Sequence, residues 1–161
     1  TNEMVGLAKA SAVFHGAEHT IPDLLRYFQG IRSEDAFRRM CVLDAIILNP
    51  DRHYGNFGVL FDTTTMEILR MAPVFDNNKS LLPELDNDQL ATPEWYISRC
   101  RPRIGRDFII TARGLLTEEI RADLERLRDF TFRQHPKIQA EQVRLDALSA
   151  IVRERIRQIL T

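Results

Sequence analysis

The residues of this chain best suited to chemistry are two carboxylates and one amide. Asp51 is followed five positions later by Asn56, and Asp76 lies twenty residues further on. Phosphoryl transfer from a nucleotide needs one carboxylate to orient a hydroxyl nucleophile, and oxygen ligands that hold Mg²⁺ against the phosphates. We therefore predict that Asp51 is the catalytic carboxylate. We predict that Asn56 and Asp76 coordinate Mg²⁺ and, through it, bind the nucleotide cofactor.

Each of these residues also has a purely structural interpretation. Asp51 follows Pro50 and suits a turn, and Asn56 beside Gly55 suits another. Asp76 could accept hydrogen bonds from nearby loop amides. Taken singly, Asp51 would be read as a turn residue; the three together at this spacing favour the chemical interpretation.

Two further residues near this site have roles to assign. His53 is expected to support the catalytic loop, its ring hydrogen-bonded to the loop backbone or a carboxylate. Mg²⁺ prefers oxygen, and no His or Cys stands at zinc-ligand spacing from His53, so a metal-ligand role fits it less well. Asp44 interrupts the apolar face of the preceding helix. Its side chain either reaches back to the loop backbone or extends to water.

The elements that must position these residues are mostly helical. Asn56 is predicted at the entrance of a β-hairpin and Asp76 shortly after its exit, so that antiparallel strands bring them together. Residues 81–105 look irregular because of three prolines. The fold class is mainly α, one domain over residues 1–161, with one small hairpin. The predicted helices cover 21–29, 33–48, 107–115, a segment from Thr117, and 140–160; the predicted strands cover 57–61 and 66–70.

Composition places the chain among ordinary globular proteins. Of its 161 residues, 44% are apolar and 28% charged. The longest uncharged apolar run, Ala45 to Leu48, is far shorter than a membrane span, and no signal peptide is visible. Two cysteines without a C-x-x-C pairing are typical of a reducing cytoplasm. We expect a cytoplasmic protein with no membrane contact.

Charge is unevenly distributed along the chain. Residues 1–98 carry 8 basic and 14 acidic groups, whereas residues 99–161 carry 14 basic and 9 acidic groups. A local arginine cluster could attract a nucleic acid, a phosphorylated segment or an acidic substrate. We expect instead a solvated loop and no direct nucleic-acid contact. The cluster comprises Arg99, Arg101, Arg103 and Arg106.

Two segments resemble a known family. The spacing from Asp51 to Asn56 equals that of the protein-kinase loop H-R-D-x-x-x-x-N, although the His here follows the Asp. Residues 43–58 resemble the catalytic loop of HipA-like serine/threonine kinases, and residues 72–81 resemble their A-P-x-[FY]-D segment. The opening Thr1–Glu3 is similar to a segment that precedes the helical lobe in stand-alone bacterial members.

The resemblance implies the helical C-terminal lobe of such a kinase. It implies Asp51 as catalytic residue, Asn56 and Asp76 as Mg²⁺ ligands, ATP as phosphate donor, and a protein Ser or Thr as acceptor. Some members of the family are toxins neutralised by a DNA-binding antitoxin, so an antitoxin or another protein is an expected partner.

The chain departs from the family in one major respect. It contains neither a glycine-rich phosphate loop nor a β-strand lysine before Asp51, and Lys79 lies in a loop after Asp76. Because the chain starts on Thr, we expect an excised piece that lacks the nucleotide-binding lobe and is inactive alone. Two alternatives stay open. One is a pseudokinase-like binding module, and the other is a phosphatidylinositol-kinase-like lipid kinase lobe, which shares D-R-H-x-x-N.

Overall fold

A computed structural model describes residues 4–161. The opening Thr1–Glu3, one of the segments that carries the family resemblance, lies outside them. A small antiparallel sheet contains strands β1 (Val5–Lys9), β2 (Gly58–Asp62) and β3 (Ile68–Met71) in that order. The predicted hairpin is β2 and β3. Strand β1 was not predicted, and it pairs with β2 so that Val5 lies opposite Asp62 and Lys9 opposite Gly58. Because β1 ends on Lys9, the prediction that no β-strand lysine precedes Asp51 is wrong.

Helices make up most of the rest of the described chain. The segment predicted to be irregular, residues 81–105, contains two short helices, α4 and α5, and α1 was likewise not predicted. The other helices lie within a few residues of their predicted bounds. The bounds are α1 (Ala10–Val13), α2 (Ile21–Gly30), α3 (Glu34–Ile47), α4 (Asn87–Ala91), α5 (Glu94–Ile97), α6 (Phe108–Gly114), α7 (Glu118–Arg126) and α8 (Gln142–Leu160).

Side-chain caps begin several of these helices. The Thr117 hydroxyl accepts a hydrogen bond from the Ile120 amide at the start of α7, as its sequence predicts. Ser33 occupies the N-cap position of α3, but its hydroxyl makes no hydrogen bond to the first turn of that helix. That hydroxyl accepts a hydrogen bond from the Met71 amide at 2.8 Å. Ser33 therefore joins the start of α3 to the end of β3.

The core consists of two hydrophobic clusters that share helix α3. One cluster lies beneath the sheet and includes Phe37 of α3 packed on Phe28 of α2, with ring centroids 5.1 Å apart. The other fills the space between α3, α6, α7 and α8, and it includes Ala45 of α3 and Ile156 of α8. Helix α3 is therefore packed along its whole length, and its C-terminal end is a fixed starting point for the loop that follows.

The structure confirms the predicted fold class, which is mainly helical with one small antiparallel sheet. Within residues 4–161, no helix combines the length and the hydropathy that crossing a bilayer would require.

Candidate functional site

The loop after α3 is closed by its own side chains. Helix α3 ends at Ile47, and Leu48 adopts a left-handed conformation with φ of 51°. The fully buried Asn49 donates from Nδ2 to Asp44 Oδ1 at 3.1 Å and accepts from the Asp51 amide through Oδ1. Asn56 Nδ2 donates to the Asp51 carbonyl at 2.8 Å. Residues 49–56 thus form one compact turn with Asp51 and Asn56 tied together.

His53 shapes the middle of this turn. Its Nδ1 accepts a hydrogen bond from the Gly55 amide at 3.0 Å. A Cβ atom on Gly55 would lie 2.7 Å from His53 Cε1, so no larger residue fits at position 55 while the imidazole stays in place. His53 holds the loop backbone, the contact expected of a supporting residue. Its part in catalysis stays a prediction.

Arg52 connects three separate segments of the chain. Its guanidinium is only 2% exposed and pairs with Asp44 of α3 through two bonds, Nε to Oδ2 at 3.0 Å and Nη2 to Oδ1 at 2.9 Å. Nη1 donates to the carbonyls of Asn56 at 2.8 Å and Phe75 at 2.6 Å, and Nη2 also donates to Asn77 Oδ1. Such a planar fork of donors can hold several acceptors at fixed angles, which an ammonium cannot do.

Asp44 does reach back to the loop, which settles the alternative left open by its sequence. It is 5% exposed and accepts from both Asn49 and Arg52. Burial raises the pKa of Asp44, and the charge and hydrogen bonds of Arg52 act in the opposite direction. The carboxylate is thus sustained inside the protein mainly by its ion pair with Arg52.

The segment that contains Asp76 meets the loop through Arg52. One nitrogen, Nη1, bonds both the Asn56 and the Phe75 carbonyl, so the backbones of the two segments lie side by side. Asp76 follows directly, in a left-handed conformation with φ of 55°. The structure therefore brings the loop that contains Asp51 and Asn56 next to the segment that contains Asp76. Their roles in catalysis and in metal binding stay predictions.

The donor groups near this junction suit Mg²⁺. Within residues 4–161, no hydrogen bond or ion pair engages the carboxylate of Asp51 or Asp76. Asn56 uses its Nδ2 on the Asp51 carbonyl, which leaves Oδ1 free to coordinate. Across the same described residues, no three His, Cys, Asp or Glu side chains gather in a metal-binding group. One carboxylate and one amide oxygen agree with the way Mg²⁺ is usually held, by few protein ligands plus phosphates and water.

A cleft of about 240 Å³ opens beside Asp51. Lys79, from the segment after Asp76, lines the same cleft, as do Glu84 and the half-buried Cys100. Burial raises the pKa of the Cys100 thiol. The cleft is also lined by Leu48 and Leu82, whose backbones are left-handed, with φ of 51° and 52°. A side chain with β-carbon strains such a backbone, so strained residues border the cleft.

Sequence reasoning gave no role to Arg52, although the structure places it at the centre of the site. The available signal was a charged residue on an apolar helix face, Asp44, followed eight positions later by an arginine. A buried carboxylate requires a cation or hydrogen-bond donors, and Arg52 is the nearest arginine after it along the chain. The sequence does not show that this arginine would also hold the segment near Asp76.

The arginine cluster is partly engaged in local contacts. The Arg99 guanidinium lies 4.2 Å from the ring centroid of the exposed Trp95, a cation–π contact. Arg101 donates to the carbonyls of Ser98 and Cys100. These contacts fit the interpretation of a solvated loop.

Comparison with known proteins identifies the fold. No protein-family model matches the sequence, and no curated protein does so either. Among solved structures, the chain is similar to the Helicobacter pylori proinflammatory kinase CtkA, with a TM-score of 0.61 and 16% sequence identity. The chain has a kinase-like fold. The match covers 99% of this chain and 70% of that one. At this identity the likeness concerns the fold alone, and the HipA-like subtype stays a prediction.

Proposed function

We propose that this chain is the mainly helical catalytic lobe of an ATP- and Mg²⁺-dependent serine/threonine protein kinase of the HipA-like type. The observation that supports this most is the Arg52 network. It joins the Asp51–Asn56 loop to the Asp76 segment, and no group within residues 4–161 bonds the carboxylate of Asp51 or Asp76. The Arg52 side chain therefore fixes the position of the Asn56 backbone relative to the Phe75 backbone, which directly precedes Asp76.

Each residue has a defined task in this proposal. Asp51 accepts a hydrogen bond from the acceptor hydroxyl, orients it, and takes its proton as the new bond forms. Asn56 Oδ1 and the Asp76 carboxylate would hold Mg²⁺, which neutralises charge on the nucleotide phosphates when bound. Arg52 and His53 are positioning residues in this proposal, since both bond backbone groups of the loop. Lys79 lines the cleft beside Asp51 and would attract the negatively charged phosphoryl group.

A complete nucleotide site needs groups that these 161 residues do not supply. The sequence before Asp51 has no glycine-rich phosphate loop. The proposal therefore requires a further segment that covers the phosphates, and the 161-residue chain alone is expected to show no appreciable phosphotransfer. Robust ATP-dependent phosphorylation by this chain alone would contradict that expectation.

The test of the reaction uses the full-length protein and labelled ATP, with protein and phosphoinositide acceptors offered in parallel. We expect label on Ser or Thr of protein, and its loss in Asp51→Asn. The matched control is Asp129→Asn, which removes an exposed carboxylate in the turn after α7. Label on phosphoinositide would favour the lipid kinase. A binding module would retain its biological activity in Asp51→Ala.

The metal ligands can be tested without activity. Mn²⁺ is a paramagnetic substitute for Mg²⁺, and titration into the 161-residue chain should first broaden the amide NMR signals around Asn56 and Asp76. Asp76→Asn should remove this local broadening, whereas Asp88→Asn, at an exposed carboxylate of α4, should not. Broadening centred elsewhere would refute the assignment.

A toxin role with an antitoxin partner belongs to the same proposal. It is supported only by the resemblance of the two sequence segments to HipA-like kinases. Production of the full-length protein should arrest bacterial growth, and Asp51→Asn should not. Arrest that persists in Asp51→Asn would show that it does not depend on phosphotransfer.

A further inference from the structure

Helix α8 contains a buried cation that no carboxylate of residues 4–161 pairs with. Arg155 is 6% exposed, and its Nε donates to the Ala45 carbonyl at 2.9 Å. No carboxylate forms an ion pair with Arg155 within residues 4–161, and no described group accepts a hydrogen bond from its two terminal nitrogens. Burial lowers the pKa of Arg155. The guanidinium lies 5.9 Å from the Phe108 ring centroid, and the charges of Asp107 and Glu154 partly oppose the effect of burial. Burial of a charge without a direct ionic partner still costs free energy, which an anionic ligand would offset.

The terminal nitrogens of Arg155 are not sealed inside protein. The only fully enclosed side-chain N or O atoms without a partner in the described chain are Tyr27 Oη and Ser80 Oγ. Arg155 lines a cavity of about 540 Å³ between α4, α5 and α8. That volume falls in the range of about 300–1,000 Å³ usual for small-molecule sites. The free donors of Arg155 can therefore meet a ligand there.

The walls of this cavity are mostly apolar. Leu90 of α4, Ile97 of α5, and Ala147 and Ile151 of α8 contribute aliphatic surface. Leu90 and Ile151 are almost fully buried, so these walls are held by the helical core. A ligand that fills the space needs an apolar body as well as an anionic group.

Two carboxylates restrict the charge of the ligand. Glu94 and Glu154 also line the cavity, and Glu154 is already bonded to Arg157 and Gln158. Their repulsion disfavours a dianion such as a phosphate monoester. A single carboxylate matches the single guanidinium in charge and in its two-pronged geometry.

We propose that this cavity binds a small amphipathic carboxylate, with its anionic group on Arg155 and its apolar body between α5 and α8. The site is separate from the cleft beside Asp51, since no residue lines both. The proposal does not depend on the kinase function, because the cavity and its cation belong to the helical core.

Calorimetric titration of the 161-residue chain with octanoate, below its micelle-forming concentration, tests this proposal. Octanamide lacks the charge, octyl phosphate adds one, and acetate lacks the apolar body. We expect octanoate to bind at least about tenfold more tightly than each of the three, a difference that calorimetry resolves. Absence of octanoate binding, or equal affinity for octanamide, would overturn the proposal.

Two variants locate the binding. Arg155→Met should lower the affinity for octanoate to that for octanamide. This change also removes the hydrogen bond to the Ala45 carbonyl and could unfold the chain. A second variant, Ala147→Phe, therefore tests the same site by filling the cavity while Arg155 is retained. Its matched control is Ala122→Phe, at an exposed position of α7. Octanoate affinity unchanged in Ala147→Phe would place the ligand elsewhere and refute the site.

Discussion

Replacement of Arg52 by methionine is the most direct perturbation of the site. Methionine keeps much of the aliphatic stem but removes all five hydrogen bonds of the guanidinium. Removing one partner of a buried ion pair typically costs about 3–5 kcal/mol. The stability of a typical domain is about 5–15 kcal/mol, so Arg52→Met should lose a large share of it. For a chain of this length the melting temperature should fall by roughly 6–20 °C.

The appropriate assay is urea unfolding followed by far-UV circular dichroism, since urea does not screen charges. Arg39→Met is the matched control, because Arg39 likewise forms ion pairs, with Asp35 and Asp123, but its side chain is 41% exposed. An exposed pair should contribute no more than about 1 kcal/mol. If both substitutions destabilise the protein equally, the reasoning about Arg52 is wrong.

The loss in Arg52→Met should depend on pH. Burial already raises the pKa of Asp44 above its ordinary value of 3.8, and removing Arg52 takes away the opposing effect. A folded-state pKa above the unfolded value means that the charged form destabilises the fold, and that this penalty disappears as pH falls below both values. The deficit against wild type should therefore shrink from neutral to acidic pH. Arg52→Met combined with Asp44→Asn should recover part of the loss at neutral pH, and no recovery would argue against an uncompensated carboxylate.

Three further substitutions or modifications follow from the contacts. Gly55→Ala should displace the loop imidazole and, under the proposed kinase function, lower phosphotransfer of the full-length protein. Gly114→Ala is the control, because its Cβ would meet nothing within 4 Å; it should leave that phosphotransfer unchanged and stabilise α6 by up to about 1 kcal/mol in urea unfolding. Iodoacetamide at about pH 8 should modify Cys100 before Cys41, as measured by peptide mapping. Cys41 is only 7% exposed, and burial raises the pKa of its thiol further than that of Cys100. The reverse order of modification would show that the cleft beside Cys100 is closed to the reagent. Ser33→Ala should cost about 1–3 kcal/mol, because it leaves a buried amide of β3 unsatisfied, and a cost near zero would show that water replaces the hydroxyl.

Much of the helical fold was predictable because local signals and the final structure agree. Asp107 caps α6 and Thr117 caps α7 with hydroxyl or carboxylate oxygens, and these residues are recognisable in the sequence. Strand β1 was not predictable in this way. Its partner is β2, some fifty residues away, and its own residues Val5–Lys9 include a glycine and an alanine, which have little preference for strands.

Some residues of the candidate site can likewise be selected from the sequence, whereas others are recognised only in the folded structure. Residue type and spacing make Asp51, Asn56 and Asp76 candidates, because phosphoryl transfer restricts both, and their roles stay predictions. Arg52 could not be selected in this way, since its importance depends on where the Phe75 carbonyl lies after the hairpin has folded. Long-range acceptors of this kind leave no periodic pattern in the sequence. The cavity beside Arg155 could not be predicted from the sequence for the same reason, because its walls come from helices about fifty residues apart.

The left-handed leucines beside the cleft bear on how this protein could be engineered. Glycine at Leu48 or Leu82 would relax the backbone, but both side chains are buried, so each replacement would empty part of the interior. Thermostabilising changes are therefore better sought on the outer faces of α7 and α8. The backbone strain at Leu48 and Leu82 is therefore held in place by the packing of their own side chains, and this part of the cleft wall offers little room for stabilising change.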